Sequence, residues 1–533
     1  MVEPEGELSR VPAERAEQSA KSLPVAYDCT MSPTTHPAAH SQNRTWRFLA
    51  VVLIPLAFLP SVWTGLTAGF DADDVMNLHE AVERTTLQQL VIGLVYPFTP
   101  LNRPTGQLYY RMGYLLFGWR PLAFRLVTDT FMAANVVLVY LIAQNLATSA
   151  EAGLLAAILF AFHGRLSQLY MSNGTVYDVL CTFFSLIALK YYIDTRTRYG
   201  AIGWRKWAML IVILIAALNA KEIAAVLPGL FLIFDWTCRT PERGFTKRVR
   251  WMLANSWPSM ALLAGVAVAL WGKTRVGGPF LNPAYKVTVS VASFFFTGRF
   301  YFSELFYLRP HALVGRHIVF LFILLFAIAA LIRRKPVWFL IWFATLAPLP
   351  ILFIPPRGFY VMYLPLAGWA MFVAMISMAA RDRLLDRSFF PQYARFVPLI
   401  LCVLAVGYGL RDADFRASVS AASPTSEFIE RSKQDFLRLN EPLPKGASVL
   451  LLGSRVPAEA NPYLPWMIIQ LLYGDRSLQV DRAELMNPPP GAATFAEYDR
   501  VIRFDGTRLN VLKRSASSNR PTRLPSSAAD WRG

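Results

Sequence analysis

Behind the first apolar run of the chain stands Phe70-Asp71-Ala72-Asp73-Asp74-Val75-Met76-Asn77, and carboxylates gathered beside an apolar span are the setting a membrane-embedded general base requires. Water at the interface lowers the cost of such charges, yet acids this close repel one another and the pKa of at least one is raised. Asp73 and Asp74 are the two candidates for taking a proton. As neighbours their side chains diverge on a helix or strand, so one acts as base while the other orients. Asp74 lies three residues beyond Asp71, on the same helical face, where a neighbouring charge raises its basicity. The bland alternative is a cap: acids at the start of an interfacial helix over residues 75–83 complement its dipole.

Basic residues that could face an anionic substrate group recur downstream. The loop Tyr96–Pro121 carries Arg103 among Tyr, Phe and Trp residues. Arginine there can bind a phosphate bidentately, although Tyr, Trp and Arg are also the usual interfacial anchors. Asn219-Ala220-Lys221-Glu222 interrupts an apolar stretch. Ionisable residues at that depth are costly unless paired or facing a polar cavity. Adjacent residues diverge on a helix, which favours separate partners for Lys221 and Glu222 across a cavity over a mutual pair.

Neither the four cysteines nor the six histidines fall at ligand spacings, so no disulfide framework or zinc site is indicated. A metal would have to rest on carboxylates alone, with Asp73 and Asp74 as the pair to hold a divalent cation.

The elements that must position these residues are membrane helices. Of 533 residues 54% are hydrophobic and only 17% charged, and mean hydropathy is +0.36, far too apolar for a soluble chain of this size. The net charge of +18 would suggest nucleic acid in a soluble protein. Here much of the excess sits in short loops, and positive-inside orientation accounts for it without any nucleic-acid partner. Residues 1–46 read as a disordered cytoplasmic tail rather than a signal peptide. About eleven spans follow over 47–410: Arg47–Leu66, Phe124–Leu146, Leu154–Gly164, Thr175–Ile193, Trp207–Ala220, Ile223–Cys238, Trp251–Trp271, Ile318–Ile332, Val337–Ile354, Val361–Ala380 and Phe396–Leu410. The count depends on Val287–Phe306 lying in the outer interface or re-entering, which keeps four basic clusters on the cytoplasmic side. Loops 67–123 and 272–317, the turn 163–174, the corner 355–360 and Lys221-Glu222 then share the outer face. Residues 411–513 read as a small extracytoplasmic α/β appendage, with strands at 448–452, 478–480, 500–504 and 507–513 and a helix at 464–473; 514–533 reads as a disordered tail.

In order and topological side, the acidic pair, Asn102-Arg103-Pro104…Gly118-Trp119-Arg120-Pro121, Ala161-Phe162-His163…Asn173-Gly174-Thr175…Asp178 and Asn219-Ala220-Lys221-Glu222-Ile223…Leu227-Pro228…Phe234-Asp235 together resemble the GT-C superfamily of polytopic glycosyltransferases. The branch most similar is that of the protein O-mannosyltransferases and their bacterial relatives, the family 39-like enzymes. The resemblance covers roughly 47–380, and Tyr360…Tyr363-Leu364-Pro365 adds that branch's aromatic-Pro motif. It implies that Asp73 or Asp74 is the catalytic carboxylate and that Tyr360 belongs to the substrate site. The extra repeats usual in that branch are missing, and 411–533 stands in their place, so the acceptor is not inherited.

The expectation is therefore an α-helical polytopic enzyme, with its N-terminus cytoplasmic and C-terminus extracytoplasmic in a bacterial inner membrane. It would move a sugar from a polyprenyl-phosphate donor to a hydroxyl of an extracytoplasmic protein, lipid or glycan by a single inverting displacement. Arg103, Lys221, Arg299 or Arg309 would stabilise the departing phosphate. Two rivals stand beside it. A transporter or flippase would show repeated halves and broken helices in matching positions, and a scaffold would use the appendage to recruit envelope partners.

Overall fold

The computed structural model describes residues 51–514 and 521–522, apart from 54, 61, 97–98, 100, 243, 277–285, 388–395, 422, 454–455, 458–459, 488 and 505–508. The tails expected at 1–46 and 514–533 and the connection between the strands expected at 500–504 and 507–513 thus lie wholly or largely outside the described residues.

The chain enters through an apolar helix at Val51–Pro60 and reaches the acidic cluster at α1 (Ala72–His79), which runs into a wider π turn at Glu80–Arg84. Helices α2 (Leu87–Val95) and α3 (Pro104–Phe117) follow, then the long α4 (Pro121–Ala147). α5 (Ala150–Ala161) and the short α6 (Ser167–Met171) precede α7 (Val176–Tyr199) and α8 (Trp204–Ala220). After α9 (Leu227–Phe234) come α10 (Phe245–Asn255), α11 (Trp257–Val276) and α12 (Val291–Leu305). The membrane part closes with α13 (Gly315–Ile332), α14 (Lys335–Leu346), α15 (Tyr363–Arg387) and α16 (Val397–Ala421). α4 packs on α5 and α7, and α15 packs on α5 and α14.

Among the described residues four helices are long and apolar enough to cross a bilayer, or six if each of two bent pairs is one span. Fewer qualify than the eleven apolar runs because several of the helices are short: α5, α8, α9 and α14 have 12, 17, 8 and 12 residues. Trp207–Ala220 and Ile223–Cys238 are parted by Lys221, whose extended backbone (φ −162°, ψ 146°) ends α8 and is followed by a 3-10 turn at Glu222–Val226. Pro348 likewise follows α14 and opens a 3-10 turn at Leu349–Ile351. Within Val287–Phe306 lies a 15-residue helix, α12, entered through Ser290 as its cap. Large apolar side chains on α13 and α16, such as Phe320, Ile323, Val403 and Leu404, are exposed, as befits elements solvated by hydrocarbon.

Beyond α16 the chain forms α17 (Pro424–Leu439), α18 (Leu464–Tyr473) and a four-stranded sheet. Its strands, β1 (Ser448–Leu452), β2 (Gln479–Arg482), β3 (Arg500–Phe504) and β4 (Leu509–Arg514), lie in the order β2-β1-β3-β4. β1 is parallel to both neighbours, and β3–β4 is antiparallel. Buried residues of this unit, among them Ile468, Leu471 and Leu472, are continuous with the core of the membrane helices.

Candidate active site

α1 starts where it does because Asp71 caps it. The Asp71 carboxylate accepts from Asp74 N at 2.8 Å, and the Asp74 carboxylate accepts in return from Asp71 N at 3.1 Å, a reciprocal capping box. Asp74 is fully buried, while Asp73, one position earlier, is exposed. Burial, reinforced by the charge of Asp71, lifts Asp74 well above the ordinary carboxylate pKa. Asp73 is open on one side and walled on the other, and the same two causes raise its pKa, with the charge of Arg357 pulling the other way.

The loop before α1 is held by one side chain. Arg125 of α4 donates to Ala68 O (3.2 Å), Gly69 O (2.8 Å) and Tyr170 O (2.9 Å), tying the entry of α1 to the end of α6. Tyr110 of α3 donates to Asn173 O at 2.8 Å. Gly174 follows, where a Cβ would stand 2.8 Å from Asp73 Cβ. Any larger residue there would push the acid aside.

Lys221 and Glu222 do have separate partners. Lys221 Nζ bonds both oxygens of Asp178 on α7, at 2.6 and 2.7 Å, and lies 5.3 Å from the Tyr360 ring centroid. Glu222 takes Arg103 Nη2 at 3.0 Å and Arg103 Nε at 3.4 Å. Arg103 itself has left-handed backbone (φ 50°, ψ 60°) immediately before Pro104. That conformation costs a non-glycine residue on the order of 1–3 kcal/mol and persists only where its surroundings dictate it. The Arg103 guanidinium lies 5.5 Å from the Tyr177 ring, and Tyr177 OH donates to Asn77 Oδ1 at 2.9 Å. Asn77 is one turn along α1 from Asp73, so the cationic pairs and the acidic helix meet through Tyr177.

The other basic candidates lie apart from this meeting point. Arg299 donates to the carbonyls of Leu313 (2.8 Å) and His311 (3.1 Å), which folds the loop between α12 and α13. Arg309 is exposed. Asp74 is buried with its carboxylate on Asp71 N while Asp73 is exposed, and among the described residues no group of three or more His, Cys, Asp or Glu is placed to hold a metal. The pair therefore does not fit the divalent cation suggested for it, and no step is derived through one.

Three residues at the site were not singled out in the sequence as binding residues. Arg357, in the corner assigned to the outer face, has its backbone N on Tyr301 OH (3.0 Å), and its charge acts on Asp73 and Asp178. Asp178 was legible only as a member of a motif. Lys273, near the end of α11, was hidden as one basic residue among many. It lines a groove of about 320 Å³ between α8 and α11 whose wall is apolar, including Ile211, Leu214, Ala261 and Gly265, and whose end is polar, at Asn219, Glu222 and Lys273. A second cavity, of about 1240 Å³, opens beside Asp71, Gln168 and Ser172 and is closed on its far side by α17.

No protein-family model matches the chain. Over 202 residues, 35% of this chain and 21% of the relative, it is 24% identical to protein O-mannosyl-transferase TMTC3 of Mus musculus. The Homo sapiens protein of the same name matches at 24% over 187 residues, 32% of this chain and 20% of that one. The chain resembles GT-C glycosyltransferases of the O-mannosyl-transferase, family 39-like kind. It spans about a fifth of the length of these curated relatives. Among solved structures, the apo oligosaccharyltransferase of Archaeoglobus fulgidus superposes with a TM-score of 0.48 at 12% identity, covering 82% of this chain and 64% of that one. Apo ArnT from Cupriavidus metallidurans gives a TM-score of 0.45 at 12% identity, covering 86% and 93%.

Proposed function

We propose that this chain is a membrane glycosyltransferase that takes a sugar from a polyprenyl-phosphate carrier and passes it to a hydroxyl acceptor on the extracytoplasmic side. The observation that carries the reading is the course of the α8–α11 groove: apolar along the two helices, then abruptly polar at Asn219, Glu222 and Lys273, beside the Arg103–Glu222 pair. A long apolar tail bearing a phosphate matches that profile. The outward orientation rests on loop charge and the eleven-span topology that it favours.

In this mechanism Asp73 is the base. It is open to a substrate, whereas both the N–H and the carboxylate of Asp74 are engaged in the capping box. The geometry thus favours Asp73 over the Asp74 preferred on spacing alone, and Asp74 shapes the helix start. Asp73 takes the acceptor hydroxyl proton as that oxygen bonds the anomeric carbon, and the bond from that carbon to the phosphate oxygen breaks. Arg103, Lys221 and Lys273 hold the departing phosphate, with the Tyr360 ring 5.3 Å from Lys221 Nζ and the charge of Arg357 acting on Asp73 and Asp178. One displacement inverts the anomeric centre. The acceptor is a protein, lipid or glycan hydroxyl.

The test is reconstituted protein offered a panel of polyprenyl-phosphate sugars, with free lipid phosphate followed. The reading expects acceptor-dependent release from at least one donor. Turnover of a soluble nucleotide sugar in its place would overturn it.

A further inference from the structure

We propose that the C-terminal α/β unit sets the position of the proposed base, and that Gln470 is the positioning residue through which it does so. The inference rests on Asp73 acting as described above.

α1 has eight residues, barely two turns, and a helix of that length does not hold itself in water. α1 packs on α18, and its buried residues are Asp74, Val75, Leu78 and His79. The contact there is directional as well as apolar. His79 Nε2 meets Gln470 Oε1 at 2.6 Å, and the Trp466 ring stands edge-on to the imidazole at 4.8 Å. Tyr114 OH of α3 donates to Leu471 O at 2.9 Å, and Asn461 Nδ2 lies 3.4 Å from Met76 Sδ.

Gln470 is the one side chain of Leu464–Tyr473 carrying an amide, and it is 3% exposed. An amide in such a place is unfavourable unless it is satisfied. Its Nε2 donates to Arg476 O at 3.0 Å and to Leu478 O at 2.8 Å, both in the unit's own next turn. Those two bonds decide the amide orientation, because the flipped form would set oxygen against two carbonyls. Oε1 is thereby aimed at α1, and His79 must present Nε2–H to it.

At 100° per residue Asp73 lies about 200° from Val75 and about 240° from His79, on the face turned away from α18. The unit therefore grips α1 from behind and leaves Asp73 presented. A 20° roll of α1 would move a carboxylate roughly 6 Å from the axis by about 2 Å, and misplacement by about 1 Å can cost on the order of 100-fold in rate.

The test is steady-state kinetics of full-length His79→Phe, which keeps a ring against Trp466 but loses the donor, and of Gln470→Met, each beside wild type and Asp73→Asn. His79→Gln, which retains an N–H donor, is the rescue. The proposal expects kcat to fall about 10- to 100-fold in His79→Phe and Gln470→Met, with donor KM within about twofold, and partial recovery in His79→Gln. Wild-type kcat in His79→Phe and Gln470→Met beside an inactive Asp73→Asn overturns it while leaving the base assignment standing. An active Asp73→Asn instead removes that assignment. Should Gln470→Met fail to fold, His79→Phe against His79→Gln gives the same decision.

Discussion

Removing one partner of the Lys221–Asp178 pair separates what it does for the fold from what it does for the substrate. Nζ lies 2.6 and 2.7 Å from the two carboxylate oxygens, and the side chains are 10% and 4% exposed. Stripping one partner from so buried a pair leaves an uncompensated charge and costs about 3–5 kcal/mol. At about 2.1 cal/mol/K per residue over a cooperative unit of roughly 400 residues, that lowers Tm by about 4–6 °C. Lys221→Met and Asp178→Leu should each show this loss in thermal unfolding of the detergent-solubilised protein. The double variant replaces two charges with apolar volume and should return to within about 1 kcal/mol of wild type. Donor turnover should not return with it, because the cation facing Tyr360 is gone; losing one charge-assisted phosphate contact costs about 1.5–3 kcal/mol, roughly 10- to 150-fold. A stable double variant with wild-type turnover would refute the placing of donor phosphate at Lys221. Additive losses in the double variant would refute the pairing itself.

Gly265 lines the α8–α11 groove with nothing within 4 Å of where its Cβ would stand, so Gly265→Phe should fold and fill the groove. Because bilayer lipid is as apolar as the groove wall, only packing is lost, and KM for a long-chain donor should rise several-fold while a short-chain soluble analogue is unaffected; equal effects on both donors would count against a tail in the groove. Glu83, in the turn after α1, is raised to about 7 by burial first and then by Asp475 across the contact with the C-terminal unit. The folded state then binds the proton more tightly than the unfolded, so stability falls as pH rises from about 4.5 to 7 and levels off above. Thermal midpoints against pH should show that slope flattened in Glu83→Gln, and an unchanged slope would assign it to another group.

Much of the candidate site was legible because the residues it gathers are charges out of place in an apolar chain. Asp73, Asp74, Arg103, Lys221 and Glu222 all announce themselves in this way, and the divergence of adjacent side chains correctly implied separate partners for the last two. Which partners could not be read, since Asp178 and Arg103 are brought to them only by the packing of α3, α7 and α8. The choice between Asp73 and Asp74 was half legible. Asp71-x-x-Asp74 has the spacing of a capping box, and spacing that suggested shared charge also spends Asp74 on the backbone. Arg357 was obscured because its corner has no periodicity to place it. The helix at Leu464–Tyr473 reads alike in sequence and structure, whereas its docking on α1 depends on a contact 391 residues apart in the chain. The apolar runs overstate uninterrupted helices because hydropathy does not register a break such as the one at Pro348, where α14 ends inside the run Val337–Ile354 while composition stays apolar on both sides.

The central claim, that the charge of Asp73 does the chemistry while Asp74 builds the helix start, is tested most directly by lipid-phosphate release from reconstituted Asp73→Asn and Asp74→Asn proteins. Asn is nearly isosteric with Asp and can still accept a backbone N–H, so both variants should insert and fold. A fall of roughly 100-fold or more is expected in Asp73→Asn, as when a general base is removed, and a far smaller one in Asp74→Asn. Full activity in Asp73→Asn, or a greater loss in Asp74→Asn at equal folded protein, would contradict it.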